Sequence, residues 1–358
     1  MAEEEYRKSV EDSQRAAHEE TMWGKPARDI ITGISNNSNV RPVRAIWELV
    51  QNARDVVKTG GRAKIKFTRK EGEVIFQHDG VPFTHKTIEA LILQTSSKAT
   101  ENNVEVGQYG TGFLTTHKFG LKFRLTAPLK TTEKLERYYK IHDFDIDRHW
   151  TEKADMRAAI ENQWLETQKW GKNLNETTEV PYPYTVFRYE HETERAKQNA
   201  AEAFKDAPCM VPYVLLLNPQ IESIEFIDET EGCHVVYEMP QCQPEKVEEL
   251  TDGVVYRNIV TKSSSIDGEK QLWMYYIESK EKNDKAPEIP KITVVLPVKE
   301  KEGKLHVFHF QHELPQIYIY LPLLGTEQWG FNYLLHSSMF TCDRDSRDRF
   351  VPFSVGSV

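Results

Sequence analysis

The sequence has few cysteines, and none of them is arranged as in a metal site. The four cysteines form no CxxC pair and stand near no histidine cluster at zinc-ligand spacing, so neither a zinc site nor a disulfide framework is indicated. No run of about 18 apolar residues is present to cross a membrane, and the N-terminal stretch "MAEEEYRKSVEDSQ" lacks the apolar core of a signal peptide. We therefore expect a cytoplasmic protein with reduced thiols and no membrane segment.

An excess of positive charge is also missing. The formal net charge is -9, so no overall positive field draws the chain to nucleic acid or to anionic lipid. This balance disfavours a nucleic-acid partner, although a local basic patch remains possible.

The length and the pattern of the chain predict two domains of the α+β class. At 358 residues the chain is too long for one ordinary core. We expect a helical arm or strap at 1–25, a first domain at 26–210 with a polar insertion of one or two helices at 131–180, and a smaller α+β domain at 211–358. Strands of the second domain are predicted at "IESIEFID", "CHVVYEM", "QLWMYYIE", "KITVVLPV" and "QIYIYLPL".

One predicted helix of the first domain carries an unusual set of polar residues. The segment 22–42 mixes turn residues with short apolar pieces, and the helix is then predicted from Val43 to Lys58, ended by Gly60-Gly61. Glu48, Asn52 and Asp55 fall on one face of it because residues four and seven apart align. That face is either the solvated side of an amphipathic helix or a functional surface.

Two further segments follow this helix. The stretch "AKIKFTRKEGEVIFQHDG" alternates apolar and polar residues about a Glu-Gly turn and predicts a β-hairpin. The stretch "GQYGTGF" then leads into a helix predicted from about Gly112, and a glycine-rich loop before a helix is suited to bind an anion with backbone N–H groups. Alone the loop is weak evidence, and it is neither a Walker loop nor a Rossmann fingerprint.

Taken in order, "WELVQNARDV", "HDGVPF", "TSSK" and "GQYGTGF" resemble the motifs of the GHKL family of ATPases, which have the Bergerat fold. That family includes gyrase B, the heat-shock-ninety chaperones, MutL and the sensor histidine kinases. The resemblance implies an N-terminal α/β sandwich with helices on one face of a mixed sheet, followed by a transducer-like or middle-like α+β domain. It is nearest to the heat-shock-ninety and sacsin-like members.

The resemblance also implies roles for individual residues. Glu48 would be the general base that activates water for ATP hydrolysis, Asn52 would bind Mg²⁺, and Asp55 would support the nucleotide pocket. Thr185 would back the adenine pocket. Phosphate and lid contacts are implied for Lys98, Gly107, Gln108, Tyr109, Gly110, Thr111, Gly112 and Phe113.

The adenine-binding motif departs from the family pattern. The family has Asp-x-Gly-x-Gly, whereas this chain has "HDGVPF". If Gly80 matches the first family glycine, His78 takes the adenine-reading position; if Asp79 reads adenine, the glycines are out of register. Either side chain can accept a hydrogen bond, histidine only when it is neutral.

The resemblance finally implies a second-domain cation and partners. Arg347 or Arg344 in "CDRDSRDRF" would reach the γ-phosphate, since the planar guanidinium binds two phosphate oxygens. The output would be a nucleotide-driven conformational switch that forms a homodimer and acts on a partner protein or within a larger assembly. A DNA-directed clamp of the MutL or topoisomerase type and an ATP-binding module without hydrolysis remain the alternatives.

Overall fold

The computed structural model describes residues 2–94, 111–241, 243–280, 291–302, 304–310 and 314–340. Along these stretches no helix combines the length and the apolar character needed to cross a membrane. The α-helices are α1 Ala2–Glu19, α2 Lys25–Asn36, α3 Val43–Asp55, α4 His85–Leu93, α5 Lys153–Thr167, α6 Glu194–Asp206 and α7 Val211–Leu217. Two 3₁₀ helices matter below, Asn37–Asn39 and Thr111–Phe119.

The strands of the described chain confirm the predicted α+β class. They are β1 Ala63–Arg69, β2 Glu73–His78, β3 Lys122–Lys130, β4 Tyr138–Asp147, β5 Thr177–Thr178, β6 Thr185–Glu190, β7 Ile221–Asp228, β8 Cys233–Glu238, β9 Glu245–Glu249, β10 Gly253–Ser264, β11 Gly268–Ser279, β12 Thr293–Leu296, β13 Val298–Lys301, β14 Lys304–Val307, β15 Ile317–Ile319, β16 Leu321–Pro322 and β17 Leu334–His336. Each of the five stretches predicted as strands in the second half contains a strand, but "QIYIYLPL" is divided at Tyr320, where φ is 63°, into β15 and β16, which pair with each other. The sequence pattern did not predict β4 within 131–180, nor the twelve-residue β10.

The chain divides into two compact units. The first comprises 1–56 and 69–203, and the second comprises 57–68 and 204–358. In the first unit the strand order is β2-β6-β3-β4-β5, and these neighbours are all antiparallel. A parallel bridge also joins Phe83, which follows the end of β2, to Leu129 of β3.

The core of the first unit joins this sheet to the helices. The buried residues of β2, β3 and β6 are mainly aromatic and aliphatic, among them Phe76, Phe123 and Tyr189. The 3₁₀ helix Thr111–Phe119 packs against β6, α2 and α3, and α5 packs against β4, α2 and α4. Burial of this apolar surface is the main stabilising term of the unit.

Two helix boundaries differ from the sequence-based expectation. Helix α3 ends at Asp55, so the prediction that it continues to Lys58 is wrong: Val56 leaves helical geometry, with φ -111° and ψ 23°. The segment 22–42, for which turn residues mixed with short apolar pieces gave no helix prediction, also differs, because Lys25–Asn36 is helical. Pro26 is accommodated in the first turn of α2, where an N–H group is not needed.

The N-terminal segment is helical and is attached to the rest of its unit at one end. A π-helical turn, Glu20–Gly24, links α1 to α2. Lys153 Nζ donates to both carboxylate oxygens of Glu20 at 2.7 Å, and Trp23 contacts Trp164 with ring centroids 5.3 Å apart. Residues 3–18 of α1 are exposed.

The second unit is built on a larger mixed sheet. Its strand order is β16-β15-β17-β12-β11-β10-β8-β7-β1, and β9 pairs with β10. The neighbours β15 and β17 are parallel. The β13–β14 pair forms a separate two-stranded sheet, and α7 packs against β7, β8, β10 and β16.

Candidate functional site

Helix α3 is buried on nearly every side and still carries a carboxylate. Ten of its residues are buried, among them Glu48, which is 8% exposed. Asn52 and Asp55 are half-buried on the same face. The solvated-face interpretation therefore does not hold for Glu48, because a carboxylate is rarely buried unless it is paired or has a function.

Glu48 has a charged partner that the sequence analysis missed. Arg44, one turn earlier, directs Nε and Nη2 to Glu48 Oε1 at 3.3 and 3.4 Å. Both side chains are nearly inaccessible, with 13% and 10% exposure. The signal was in "VRAIWEL", since Arg and Glu four residues apart on a helix face each other. The guanidinium restricts the orientation of the carboxylate.

Strand β2 brings His78 to the buried face of the sheet. Its burial alternates, so Val74, Phe76 and His78 face inward. The antiparallel register places His78 directly opposite Thr185, the first residue of β6. Thr185 is 1% exposed, and its Oγ1 has no hydrogen-bond partner among the residues that the structure describes. A buried hydroxyl without a partner is uncommon in proteins and fits a ligand or water position.

The hydrogen bonding of His78 determines which ring nitrogen carries the proton. The Gly80 N–H donates to His78 Nδ1 at 3.1 Å, so Nδ1 is the acceptor and the neutral ring has its proton on Nε2. Burial lowers the pKa of His78 to about 4, because the charged imidazolium is poorly solvated there. At neutral pH His78 is therefore a neutral ring with an Nε2–H donor.

The loop after β2 is packed on the C-terminal end of α3. The Val81 N–H donates to the Val56 carbonyl oxygen at 2.8 Å. A Cβ at Gly80 would lie 2.6 Å from Val56 Cγ2 and 2.8 Å from Val56 O. Only glycine fits this approach without displacement. The contact joins the "HDG" segment to the helix of Glu48 and Asn52.

The 3₁₀ helix Thr111–Phe119 adds another wall of the same region, because it packs along α3. Thr111 is its first residue, and Gly112 is buried. Phe113 is half-buried in an aromatic cluster, with ring centroids 5.9 Å from Phe187 and 5.8 Å from Phe123. The structure thus brings Glu48, Asn52, Asp55, His78, Asp79, Gly80, Thr111, Gly112, Phe113 and Thr185 into one unit.

Several predicted site residues lie outside the described residues. These are Lys98, Gly107, Gln108, Tyr109 and Gly110 of the glycine-rich region, and Arg344 and Arg347 near the C-terminus. Their assigned roles stay predictions.

Comparison with known proteins finds similarity to solved structures and not to family models or curated sequences. No family model and no curated protein sequence matches this chain. The B subunit of DNA gyrase from Myxococcus xanthus is similar in structure, with 7% sequence identity, a TM-score of 0.36, and coverage of 86% of this chain and 83% of that chain. A likeness of this size carries no inference about function.

Proposed function

We propose that the first unit binds ATP with Mg²⁺ and hydrolyses it, as a GHKL-type ATPase that works as a conformational switch. The observation that carries the proposal is the hydrogen bond of Val81 to Val56, which joins the "HDG" segment to the helix bearing Glu48 and Asn52. Glu48 lies about 12 Å along the helix axis from Val56, at about 1.5 Å per residue. This contact supports the proposal because it holds the segment proposed to recognise the base against the helix that carries the buried acid.

In this proposal the polar residues of α3 act at the triphosphate. Glu48 orients a water molecule and takes its proton, and Arg44 holds the Glu48 carboxylate in position. The Asn52 amide oxygen would hold Mg²⁺, an ion that needs few protein ligands because phosphate and water oxygens supply the others. The bound ion would supply charge neutralisation at the phosphates. Asp55 would support the pocket one turn further along the helix.

The two candidate adenine readers differ in what they offer. His78 presents an Nε2–H donor because its Nδ1 accepts from Gly80, whereas an ionised carboxylate at Asp79 has acceptors only. The 6-amino group of adenine is a donor and needs an acceptor. We therefore assign the amino group to Asp79, with Thr185 Oγ1 as the adjacent hydroxyl.

This assignment is tested with a purine triphosphate that lacks the 6-amino group. The wild type is expected to bind ATP more tightly than this analogue. Asp79→Asn is expected to reduce that preference about tenfold, since a charge-assisted hydrogen bond is lost. His78→Gln serves as the comparison. Loss of the preference only in His78→Gln would transfer the role to His78.

Hydrolysis is tested by ATPase rate and nucleotide affinity measured side by side. Glu48→Gln is expected to lower kcat at least about 100-fold, the range lost when a general base is removed, and to leave ATP affinity within a few-fold. Glu166→Gln, an exposed helical glutamate on α5, is the matched control. Equal ATPase rates in wild type and Glu48→Gln would refute the assignment of Glu48 as the base. Nucleotide binding without turnover in the wild type would leave only a nucleotide-binding module, and no nucleotide binding would refute the whole proposal.

The choice between a chaperone-like switch and a DNA clamp needs a separate measurement. The acidic balance of the chain favours a protein partner over DNA. A clamp predicts ATPase stimulation by duplex DNA that falls steeply with salt. We expect no stimulation by DNA.

We further propose that α1 is a contact segment for a second copy of the chain. Tyr6 and Val10, one turn apart, are 72% and 38% exposed, so they form an apolar pair on a polar helix. Addition of a non-hydrolysable ATP analogue should increase the mass measured by light scattering in wild type and not in Tyr6→Glu/Val10→Glu.

We also propose that Arg344 or Arg347 senses the γ-phosphate. The ATPase kcat of Arg344→Ala and of Arg347→Ala would identify which of the two does so.

A further inference from the structure

The β13–β14 hairpin of the second unit leaves one strand edge open. Strand β13 contacts β11, whereas β14 pairs only with β13 among the strands that the structure describes. The Phe308 N–H donates to the Pro297 carbonyl oxygen at 2.8 Å, so this N–H points toward the side of β13. Because successive N–H groups of a strand alternate in direction, those of Leu305 and Val307 point away from β13. Such an edge is a template for a further strand.

One face of this hairpin carries opposed basic residues. Lys301 is directly opposite Lys304 in the register, and Lys299 is directly opposite His306. Lys299 Nζ also lies over the Phe308 ring, 4.7 Å from its centroid. None of the three lysines forms an ion pair with a carboxylate of the residues that the structure describes. Like charges directly opposite each other destabilise a strand pair. We call Lys299, Lys301, Lys304 and His306 the lysine face.

Another hairpin of the same unit has such a lysine pair with its charge compensated. In β10–β11, Lys262 is directly opposite Lys270. Asp267 lies in the turn between the two strands, and its Oδ2 is 3.7 Å from Lys262 Nζ and 3.4 Å from Lys270 Nζ. In the β13–β14 hairpin, Glu300 is opposite Leu305 in the register, outside the lysine face. Glu302, in the turn, forms no ion pair with any residue that the structure describes. The lysine face therefore lacks the counter-charge that Asp267 supplies in β10–β11.

The other face of β14 exposes apolar side chains. Leu305 and Val307 are 51% and 68% exposed. Val307 is directly opposite Val298, which is only 8% exposed, so the cover of this face ends at β13. A two-stranded hairpin is marginally stable by itself and gains stability from a third strand.

We propose that the open edge of β14 binds an extended segment of a partner protein in which acidic and apolar residues alternate. Its backbone pairs with the N–H and C=O groups of Leu305 and Val307, as in strand addition to a sheet edge. Because side chains alternate along a strand, its carboxylates meet the lysine face and its apolar side chains cover Leu305 and Val307. A nucleic acid or a lipid surface would match the charge alone. This surface belongs to the second unit and does not depend on ATP binding by the first.

The probe is a synthetic nine-residue peptide that alternates glutamate and valine, has both ends blocked, and is added to the full chain. Amide hydrogen exchange is followed by NMR. At a peptide concentration about ten times the Kd, exchange at the Leu305 and Val307 amides should slow about tenfold, because only the free protein exchanges. A peptide of the same composition with all glutamates before all valines should give no such protection, because it cannot match both faces. Equal protection by both peptides would overturn the proposal.

Two double variants of the full chain test the lysine face. Lys301→Met/Lys304→Met should weaken binding of the alternating peptide about tenfold, as expected for two exposed charge pairs. Lys262→Met/Lys270→Met is the matched control, because it removes the same charge from the opposed lysines of the other hairpin, and it should leave the affinity unchanged.

Three further results would contradict the assignment. One is the absence of protection of the two β14 amides at saturating peptide. Another is an affinity loss in Lys301→Met/Lys304→Met no greater than in the control. The third is an oligothymidylate of the same charge that binds the lysine face more tightly than the peptide, since the partner would then be a nucleic acid.

Discussion

The close approach of Gly80 to Val56 makes a sharp prediction for Gly80→Ala. The added Cβ would lie 2.6 Å from Val56 Cγ2, 2.8 Å from Val56 O and 3.0 Å from His78 Nδ1. Ordinary contacts of a Cβ are 3.4–4 Å, so the loop must move away from α3. Val56 O cannot yield freely, because it accepts the Val81 hydrogen bond at 2.8 Å.

The size of the effect follows from these two contributions. Overpacking of a filled site costs about 1–3 kcal/mol, and loss of one backbone hydrogen bond adds about 1 kcal/mol. Gly80→Ala should therefore lower the free energy of unfolding by about 2–4 kcal/mol. At a slope of about 2–3 kcal/mol per molar urea, the unfolding midpoint falls by about 1 M.

Gly72 provides the matched control, because it stands at the other end of β2 and a Cβ there meets nothing within 4 Å. Gly72→Ala should leave the midpoint within the range of about 0.5 kcal/mol that is typical of surface changes. Urea titrations of the full chain, followed by circular dichroism, compare the two variants. Equal midpoints for Gly80→Ala and Gly72→Ala would refute the packing argument. ATP affinity should fall only in Gly80→Ala.

Three further predictions concern charged groups of the first unit. Arg148 is 2% exposed and donates to Gln163 Oε1 at 2.9 Å and to Ile92 O at 2.8 Å. Arg148→Met should therefore lower the free energy of unfolding by about 2–4 kcal/mol, because two buried acceptors lose their donors. A loss below about 0.5 kcal/mol in urea titrations would contradict this. Arg44→Met should lower ATPase kcat about tenfold and leave ATP affinity nearly unchanged, because the Glu48 carboxylate loses its orienting partner. An unchanged kcat would show that Arg44 has no positioning role. Burial alone would lower the pKa of His149, but the carboxylates of Asp147 and Glu192 raise it above 6.5 in the folded chain, so its stabilising contribution is present below pH 6.5 and is lost as pH rises through the raised pKa. The unfolding midpoint of the wild type should therefore fall, relative to that of His149→Gln, as pH rises across this range. Parallel curves of midpoint against pH for the two proteins would contradict the assignment.

The sequence predicted elements where periodicity was strong and missed them where turn residues interrupted it. Helix α3 was predicted because its apolar positions repeat at helical spacing. Helix α2 was not, because Pro26, Gly33 and the asparagines at its end read as turn residues. Its stability comes from tertiary contacts with α5 and the 3₁₀ helix Thr111–Phe119, which a local pattern does not contain.

The same limit applies to the burial of α3. A helical wheel placed the polar residues of α3 on one face but could not decide whether solvent or other elements meet that face. The structure shows that Glu48 on this face is buried, and that the 3₁₀ helix Thr111–Phe119 packs along α3. The ion pair of Arg44 with Glu48 was available from spacing alone, because four residues separate them. The burial of both side chains, however, could be learned only from the structure. Because the pair is buried, removing either partner leaves an uncompensated buried charge.

The motif "HDGVPF" shows why chemistry at one position can need more than residue identity. The alternation of β2 could have placed His78 inward from sequence, and the pairing with Thr185 fixes its neighbour across the strands. Which atom of the ring can bind a ligand depends on the Gly80 N–H, which turns back to His78 Nδ1. That bond leaves the Nε2–H group, a donor, as the ring position of His78 that can contact a ligand, whereas an aspartate carboxylate at this position would be an acceptor. In the proposed ATP site, a base beside His78 therefore needs an acceptor from a neighbouring residue, and Asp79 is the adjacent residue with a carboxylate.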